Sequence, residues 1–316
     1  MKYFLKNIII LLFWFSSINI LLSLWMLQTK VDTKIEVIGQ EKIDSAHILI
    51  LGDSRADRQL NPYIIHSKTN IDVLNIAESS LDLYSLSLRL KNINVENKLI
   101  IISASSWQIN DGATDEGYFR VEAFNNLDAT QRLVLYRDNL IDLKKMLPKC
   151  LIKPINITIG NKERAVNSGF NNVACKNFLT DNMFRNHPWY RNIRMNGVKT
   201  KLLKDGLIEL NKLNCSGIII YNAPVCTEFI RQAKNNGAWH MEDEYCKTIS
   251  NFIQTEKFKK ITFVDLRNLR GFSKEDYYDP QHFCEQGANK FTSKFIPIIN
   301  KVITSSKSNQ THQGSN

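Results

Sequence analysis

Two polar segments, far apart in the chain, carry the residue types of nucleophilic catalysis. The first, HILILGDSRADRQLNP at residues 47–62, places Ser54 soon after an apolar run. A serine hydroxyl is a weak nucleophile until a neighbouring base accepts its proton. The second, EDYYDPQHFCEQGANKF at residues 275–291, holds Asp279 and His282 on either side of a proline-containing bend. The pattern predicts a triad in which Asp279 orients His282 and His282 accepts the proton of Ser54.

Each segment also has a simpler interpretation. Ser54 could be an ordinary turn serine, and Asp279 and His282 could merely cap the last helix. The surrounding elements favour the triad. In a parallel α/β sheet, ligands bind at the carboxyl ends of the strands. Ser54 follows the first predicted strand and His282 follows the last, so both would lie at that edge.

Short apolar runs alternate with segments of helical spacing along the chain. The predicted strands are HILILG from His47, VLNIA from Val73, LIIISAS from Leu99, GIIIYNAP from Gly217 and ITFVDL from Ile261. Helical spacing is found at residues 81–92, 131–146, 198–213 and 245–258. This alternation predicts an α/β fold with a mostly parallel central sheet. The interval 107–196 is longer than one crossover needs, so it predicts an insertion between strands 3 and 4.

The two polar segments resemble the first and last blocks of a known superfamily. LGDS at Leu51 and DPQH at Asp279, the latter followed by Gly287, Ala288 and Asn289, are similar to blocks of the SGNH (GDSL-type) hydrolases. Within that superfamily, GDSRADRQLNP, DPQHFCEQGANKF and the apolar N-terminus resemble the membrane-anchored extracytoplasmic branch, which includes the D-alanyl transfer protein of teichoic acid modification and alginate-type O-acetyltransferases. This resemblance covers about residues 46–304 in order of elements. The resemblance implies a flavodoxin-like three-layer sandwich and no metal or organic cofactor.

The middle of the chain departs from the superfamily pattern at the oxyanion hole. The second block usually places a glycine after the second strand, whereas NIAESS from Asn75 has Ala77 and Ser80 there. The third block usually supplies an asparagine side chain, whereas ISASSWQIND from Ile102 offers serines such as Ser106. The oxyanion candidates are therefore Ser54, Ala77, Ser80 and Ser106. The substrate-binding candidates are Arg55 and Asn75, although a solvent-facing Arg55 is an equal alternative.

The N-terminus predicts a membrane anchor. Residues 8–27, IIILLFWFSSINILLSLWML, carry no charge and as a helix would span about 30 Å. The run lacks the small-residue cleavage site of a signal peptide and the polar face of a core helix. Lys2 and Lys6 precede it, which predicts a cytoplasmic N-terminus and a domain in the periplasm or outside the cell. We expect a stub and anchor at 1–29, a stalk at 30–45, the SGNH-like domain at 46–304 and a disordered tail at 305–316.

Cysteine content and charge bear on the compartment and the partners. The even number of cysteines fits an oxidising compartment, with buried free thiols as the alternative. The cysteines are Cys150, Cys175, Cys215, Cys226, Cys246 and Cys284. The net charge of +10 is densest at residues 185–204, which is typical of an anion-binding or simply a solvated face. No nucleic-acid motif accompanies it, so nucleic acid is not an expected partner.

These features lead to two functional hypotheses. The first is a membrane-anchored O-acyltransferase or esterase that modifies a cell-envelope polysaccharide, for which the resemblance implies a glycan acceptor and a membrane-bound O-acyltransferase as partners. Plain hydrolysis of a soluble ester is a further possibility. The second is a catalytically weak scaffold of the same fold that binds a glycan or an acyltransferase complex.

Overall fold

The chain divides into two units, Met1–Thr33 and Lys34–Asn316. The computed structural model describes residues 38–78, 81–111, 170–171, 173–175 and 193–311, and a few single positions, which are Lys6, Asn7, Ile10, Trp14, Ser17 and Lys34. Within these described residues, no helix combines the length and the apolar character needed to cross a membrane. Most of the predicted anchor at 8–27 lies outside them, as does the predicted helix at 131–146.

The second unit is built on a sheet of five parallel strands. The strands are β1 (Ile48–Gly52), β2 (Val73–Asn75), β3 (Leu99–Ser103), β4 (Gly217–Asn222) and β5 (Ile261–Asp265). Each of the five predicted apolar runs forms one of these strands, so the predicted α/β class and parallel sheet are confirmed. The strand order β2-β1-β3-β4-β5 is that of flavodoxin-like folds.

Helices cover both faces of the sheet. They are α1 (Gln40–Ser45), α2 (Ser54–Gln59), α3 (Pro62–Thr69), α4 (Leu83–Leu90), α5 (Val198–Asn211), α6 (Thr227–Asn235), α7 (Trp239–Thr255) and α8 (Glu285–Thr311). Helices α4 and α7 both pack against α5, whereas α2 and α3 pack against α8. Strands β1, β3 and β4 are buried along their whole length, as expected of parallel strands covered on both sides.

Two helices differ from the sequence prediction. Helix α7 begins at Trp239 rather than near residue 245, because Met241 adds a further apolar contact one turn before Tyr245. Helix α8 continues to Thr311, through the first part of the segment predicted as a disordered tail from Ser305. No proline or glycine interrupts residues 305–311. Each added residue there gains a backbone hydrogen bond, which favours continuation of an existing helix.

The ends of the predicted insertion meet beside the sheet. The N–H of Asp111 donates to the carbonyl of Arg194 at 2.7 Å, and Asn110 Oδ1 accepts from the N–H of Arg194 at 2.9 Å. Asp111 Oδ1 also accepts from the N–H of Lys199 in the first turn of α5 at 2.8 Å. The chain therefore leaves the sheet and returns to it at one place. Most of the interval 107–196 lies outside the described residues.

The described cysteines fall into both predicted classes. Cys175 and Cys284 form a disulfide that joins positions 109 residues apart. Cys215, Cys226 and Cys246 are buried free thiols. Cys150 lies outside the described residues.

Candidate active site

A tight turn at the end of β1 presents Ser54. Gly52 has a φ of 113°, and a Cβ atom there would lie 2.2 Å from the carbonyl oxygen of Ser103 in β3. Only glycine therefore allows the two strands to lie together at this point. Asp53 then caps α2, because its Oδ1 accepts from the N–H of Arg55 at 3.0 Å. Ser54 is the first residue of that helix.

Serines after β3 hold the capping aspartate in place. Asp53 is 1% exposed, and its Oδ1 accepts from Ser103 Oγ at 3.2 Å. The hydroxyl of Ser105 donates to the other carboxylate oxygen. Ser103 and Ser105, at the end of β3 and just after it, thus support the turn that carries Ser54.

A β-hairpin brings Asp279 and His282 together. Its strands are β6 (Tyr277–Asp279) and β7 (His282–Phe283), and Asp279 pairs with His282 across the turn. Asp279 Oδ1 accepts from the N–H groups of Gln281 at 2.9 Å and His282 at 3.0 Å. The rings of Tyr277 and Phe283 pack behind the turn with centroids 4.6 Å apart.

Ser54, His282 and Asp279 form a continuous chain of hydrogen bonds. Ser54 Oγ lies 2.7 Å from His282 Nε2, and His282 Nδ1 lies 2.8 Å from Asp279 Oδ2. Ser54 is 8% exposed, and the side chain of His282 is 14% exposed. The hydroxyl is therefore held within the protein but close to its surface.

The electrostatics of Asp279 set the direction of these hydrogen bonds. Burial alone would raise the pKa of its carboxyl, but the hydrogen bond and charge of His282 and the two backbone N–H groups outweigh burial, so the pKa is lowered. An ionised carboxylate only accepts hydrogen bonds, so Nδ1 of His282 carries a proton. In the neutral ring Nε2 is then the acceptor for the Ser54 hydroxyl. This is the arrangement of a base poised to activate a nucleophile.

Two of the other predicted oxyanion donors already donate hydrogen bonds within the protein. The N–H of Ala77 donates to Asn75 Oδ1 at 3.0 Å, and the hydroxyl of Ser106 donates to Glu242 Oε1 at 2.6 Å. Ser80 lies outside the described residues. The N–H of Ser54 is at the first position of α2, where a helix supplies no acceptor of its own.

The two predicted substrate-binding residues are both buried. Asn75 Nδ2 donates to the carbonyl of Ala56 at 2.9 Å, so Asn75 links β2 to α2. Arg55 donates to Asn222 Oδ1 and to Gln281 Oε1, both at 3.1 Å. Asn222 and Gln281 were not among the predicted site residues. The one sequence signal for Asn222 is that this polar residue ends the apolar strand β4.

Among the described residues, no group of histidine, cysteine, aspartate and glutamate side chains is arranged to hold a metal ion.

Comparison with known proteins finds similarity in structure but not in sequence. No family model matches the chain, and no curated protein matches it in sequence. Its structure is similar to that of a protein provisionally described as a platelet activating factor from Streptococcus pneumonia. The two chains share 12% identity with a TM-score of 0.37, over 89% of this chain and 99% of the other.

Proposed function

We propose that this protein is an SGNH-like serine acyltransferase or esterase that modifies a cell-envelope polysaccharide. The observation that carries the proposal is the hydrogen-bond chain from Ser54 Oγ through His282 to Asp279, with its 2.7 and 2.8 Å links. Ser54 and His282 are 228 positions apart in the sequence, so this contact is specified by the fold.

The reaction proceeds in two acyl transfers. Ser54 Oγ attacks the carbonyl carbon of an acyl donor while its proton passes to His282 Nε2. His282 returns that proton to the leaving alcohol as the ester bond breaks, and an acyl-serine remains. An acceptor hydroxyl then attacks the acyl-serine, its proton passing to His282, and Ser54 regains a proton as the product leaves. Asp279 stays ionised and stabilises the imidazolium at each stage.

The envelope location and the glycan acceptor are supported by features outside the triad. The resemblance of LGDS and DPQH is to extracytoplasmic enzymes, and residues 8–27 are long and apolar enough to serve as an anchor. The Cys175–Cys284 disulfide fits an oxidising compartment. In this setting a membrane-bound O-acyltransferase would supply the acyl group, and the glycan hydroxyl would receive it.

Labelling with a serine-directed fluorophosphonate tests the chemistry. We expect wild-type protein to be modified at Ser54, as read by mass spectrometry of the peptide. Ser54→Ala should not be labelled. Ser67→Ala removes an exposed hydroxyl in α3 and should be labelled like the wild type. A folded wild-type protein that resists the reagent would count against catalysis.

Transfer and hydrolysis are separated by the fate of the acyl group. With p-nitrophenyl acetate as donor, an esterase releases acetate whether or not a sugar is present. A transferase forms an acetylated oligosaccharide when envelope glycan fragments are added, which mass spectrometry detects. Acetate as the sole acyl product in the presence of many such acceptors would leave the esterase as the better description.

A second candidate function is a binding scaffold with little catalysis. It is favoured by the hydrogen bonds that occupy the Ala77 N–H and the Ser106 hydroxyl, because loss of one oxyanion donor costs about 100- to 1000-fold in rate. A folded, unlabelled protein that binds glycan fragments would support this function instead.

A further inference from the structure

We infer that Arg55 is a positioning residue that fixes the hairpin of His282 against the helix of Ser54. This inference rests on the proposed function. It assigns to Arg55 a role in aligning the nucleophile with the base, instead of a role in binding the substrate.

Burial excludes Arg55 from direct contact with a substrate. The residue is 1% exposed, although it directly follows Ser54 in the chain. Its guanidinium is a planar group whose donors point in fixed directions. Nη2 donates to Gln281 Oε1 at 3.1 Å, and Nη1 donates to Asn222 Oδ1 at 3.1 Å. These contacts join the first turn of α2 to the catalytic hairpin and to the end of β4.

Helix α2 holds Gln281 at two points. Besides the bond from Arg55 to the Gln281 side chain, Gln59 Nε2 donates to the Gln281 carbonyl at 3.1 Å. Arg55 and Gln59 are four positions apart and so lie on one face of the helix. Gln281 immediately precedes His282. Helix α2 therefore carries Ser54 and also the two residues that hold Gln281, the neighbour of His282.

The second partner of Arg55, Asn222, lies in the buried interior and has further hydrogen bonds there. Asn222 Nδ2 donates to Glu242 Oε2 at 3.2 Å, and Glu242 Oε1 accepts from Ser106 Oγ at 2.6 Å. Asn222, Glu242 and Ser106 are all buried. Asn222, the acceptor of Arg55 Nη1, is therefore itself held by a buried hydrogen-bond network, which restricts the position of the guanidinium.

Steady-state kinetics on a neutral ester, p-nitrophenyl acetate, test the inference in the full-length protein. We expect Arg55→Met and Gln281→Leu to lower kcat by up to about 100-fold, since a small misplacement of reacting groups has effects of that size. KM should stay within about twofold. Arg55→Lys should also lower kcat, because an ammonium does not reproduce the planar fork. Gln281→Glu keeps the acceptor oxygen, so its kcat should fall less than that of Gln281→Leu.

Lys98→Met is the matched control for loss of a buried cation. Lys98 is 6% exposed and donates to the carbonyls of Asp44 and Ala46, away from the hairpin. The kcat of Lys98→Met should match that of the wild type even if the melting temperature of the variant falls. If Arg55→Met does not fold, Gln281→Leu carries the test, with circular dichroism confirming its fold.

The outcomes separate the two proposals. If wild-type protein neither hydrolyses the ester nor reacts with a fluorophosphonate, the proposed function is overturned, and the role of Arg55 with it. If the wild type reacts at Ser54 but folded Arg55→Met and Gln281→Leu retain wild-type kcat, the positioning role alone is overturned. An unchanged kcat for the neutral ester with a raised KM for anionic esters would instead return Arg55 to substrate binding.

Discussion

Asp279 is the residue on which the charge balance of the site depends. It accepts from His282 Nδ1 and from the backbone N–H groups of Gln281 and His282. These donors stabilise the ionised carboxylate and orient the imidazole at the same time. The contacts that align the base therefore also contribute to the stability of the hairpin.

Acid titration of stability should reveal this contribution. The folded pKa of Asp279 lies below that of an unfolded aspartate, about 3.9, so its stabilising effect is present above that pH and is lost as the pH falls through the folded value. We expect wild type to exceed Asp279→Asn in urea midpoint at pH 5, and the difference to shrink toward pH 2. Asp44→Asn, which removes an exposed carboxylate, is the control. A difference that does not change with pH would contradict this account.

At the scale of elements, the turn from β1 into α2 depends on Gly52. The combination of its positive φ with a neighbouring backbone oxygen means that a side chain must distort the strand pair. Gly52→Ala should lower the free energy of unfolding by about 2–5 kcal/mol, from strain and overpacking together. Gly39 also has a positive φ, of 86°, but has nothing within 4 Å. Gly39→Ala should lower the free energy of unfolding by less, about 1–3 kcal/mol, because only the backbone strain remains.

Urea unfolding of both glycine variants checks this prediction. Equal losses for Gly52→Ala and Gly39→Ala would show that the close approach of Ser103 does not matter. Because Ser54 follows two residues later, Gly52→Ala should also slow labelling at Ser54, whereas Gly39→Ala should leave the rate unchanged.

The Cys175–Cys284 disulfide also supports the hairpin that carries His282. Cys284 lies two residues after His282, and the N–H of Glu285 donates to the carbonyl of Val173 at 2.8 Å. Closing a loop over 109 residues should stabilise the fold by about 2–5 kcal/mol. Reduced wild type and Cys175→Ser should therefore unfold at similar, lower urea concentrations than oxidised wild type. Equal midpoints for oxidised wild type and Cys175→Ser would contradict the prediction.

The elements were far easier to predict than the contacts between them. Each apolar run formed a strand, and β1, β3 and β4 are buried along their whole length, as a parallel sheet covered on both faces requires. The pairing of Ser54 with His282 could be inferred because both follow strand ends. The partners of Arg55 could not, because Asn222 and Gln281 are 167 and 226 positions away and leave no periodic signal. The pairing of Cys175 with Cys284 could not be predicted either, because these cysteines are 109 positions apart and the sequence carries no signal that links them.

At the scale of the whole molecule, the predicted membrane orientation of the chain can be tested. With Lys2 and Lys6 before the apolar residues 8–27, we expect the N-terminus in the cytoplasm and the unit Lys34–Asn316 outside. A C-terminal alkaline phosphatase fusion, which folds only where disulfides form, should be active and sediment with membranes in a bacterial host. Lys2→Glu with Lys6→Glu should lower that activity, whereas Lys301→Glu, distant in sequence from the predicted anchor, should not. An inactive wild-type fusion beside a fluorescent green fluorescent protein fusion would reverse the orientation and place Ser54 in the cytoplasm.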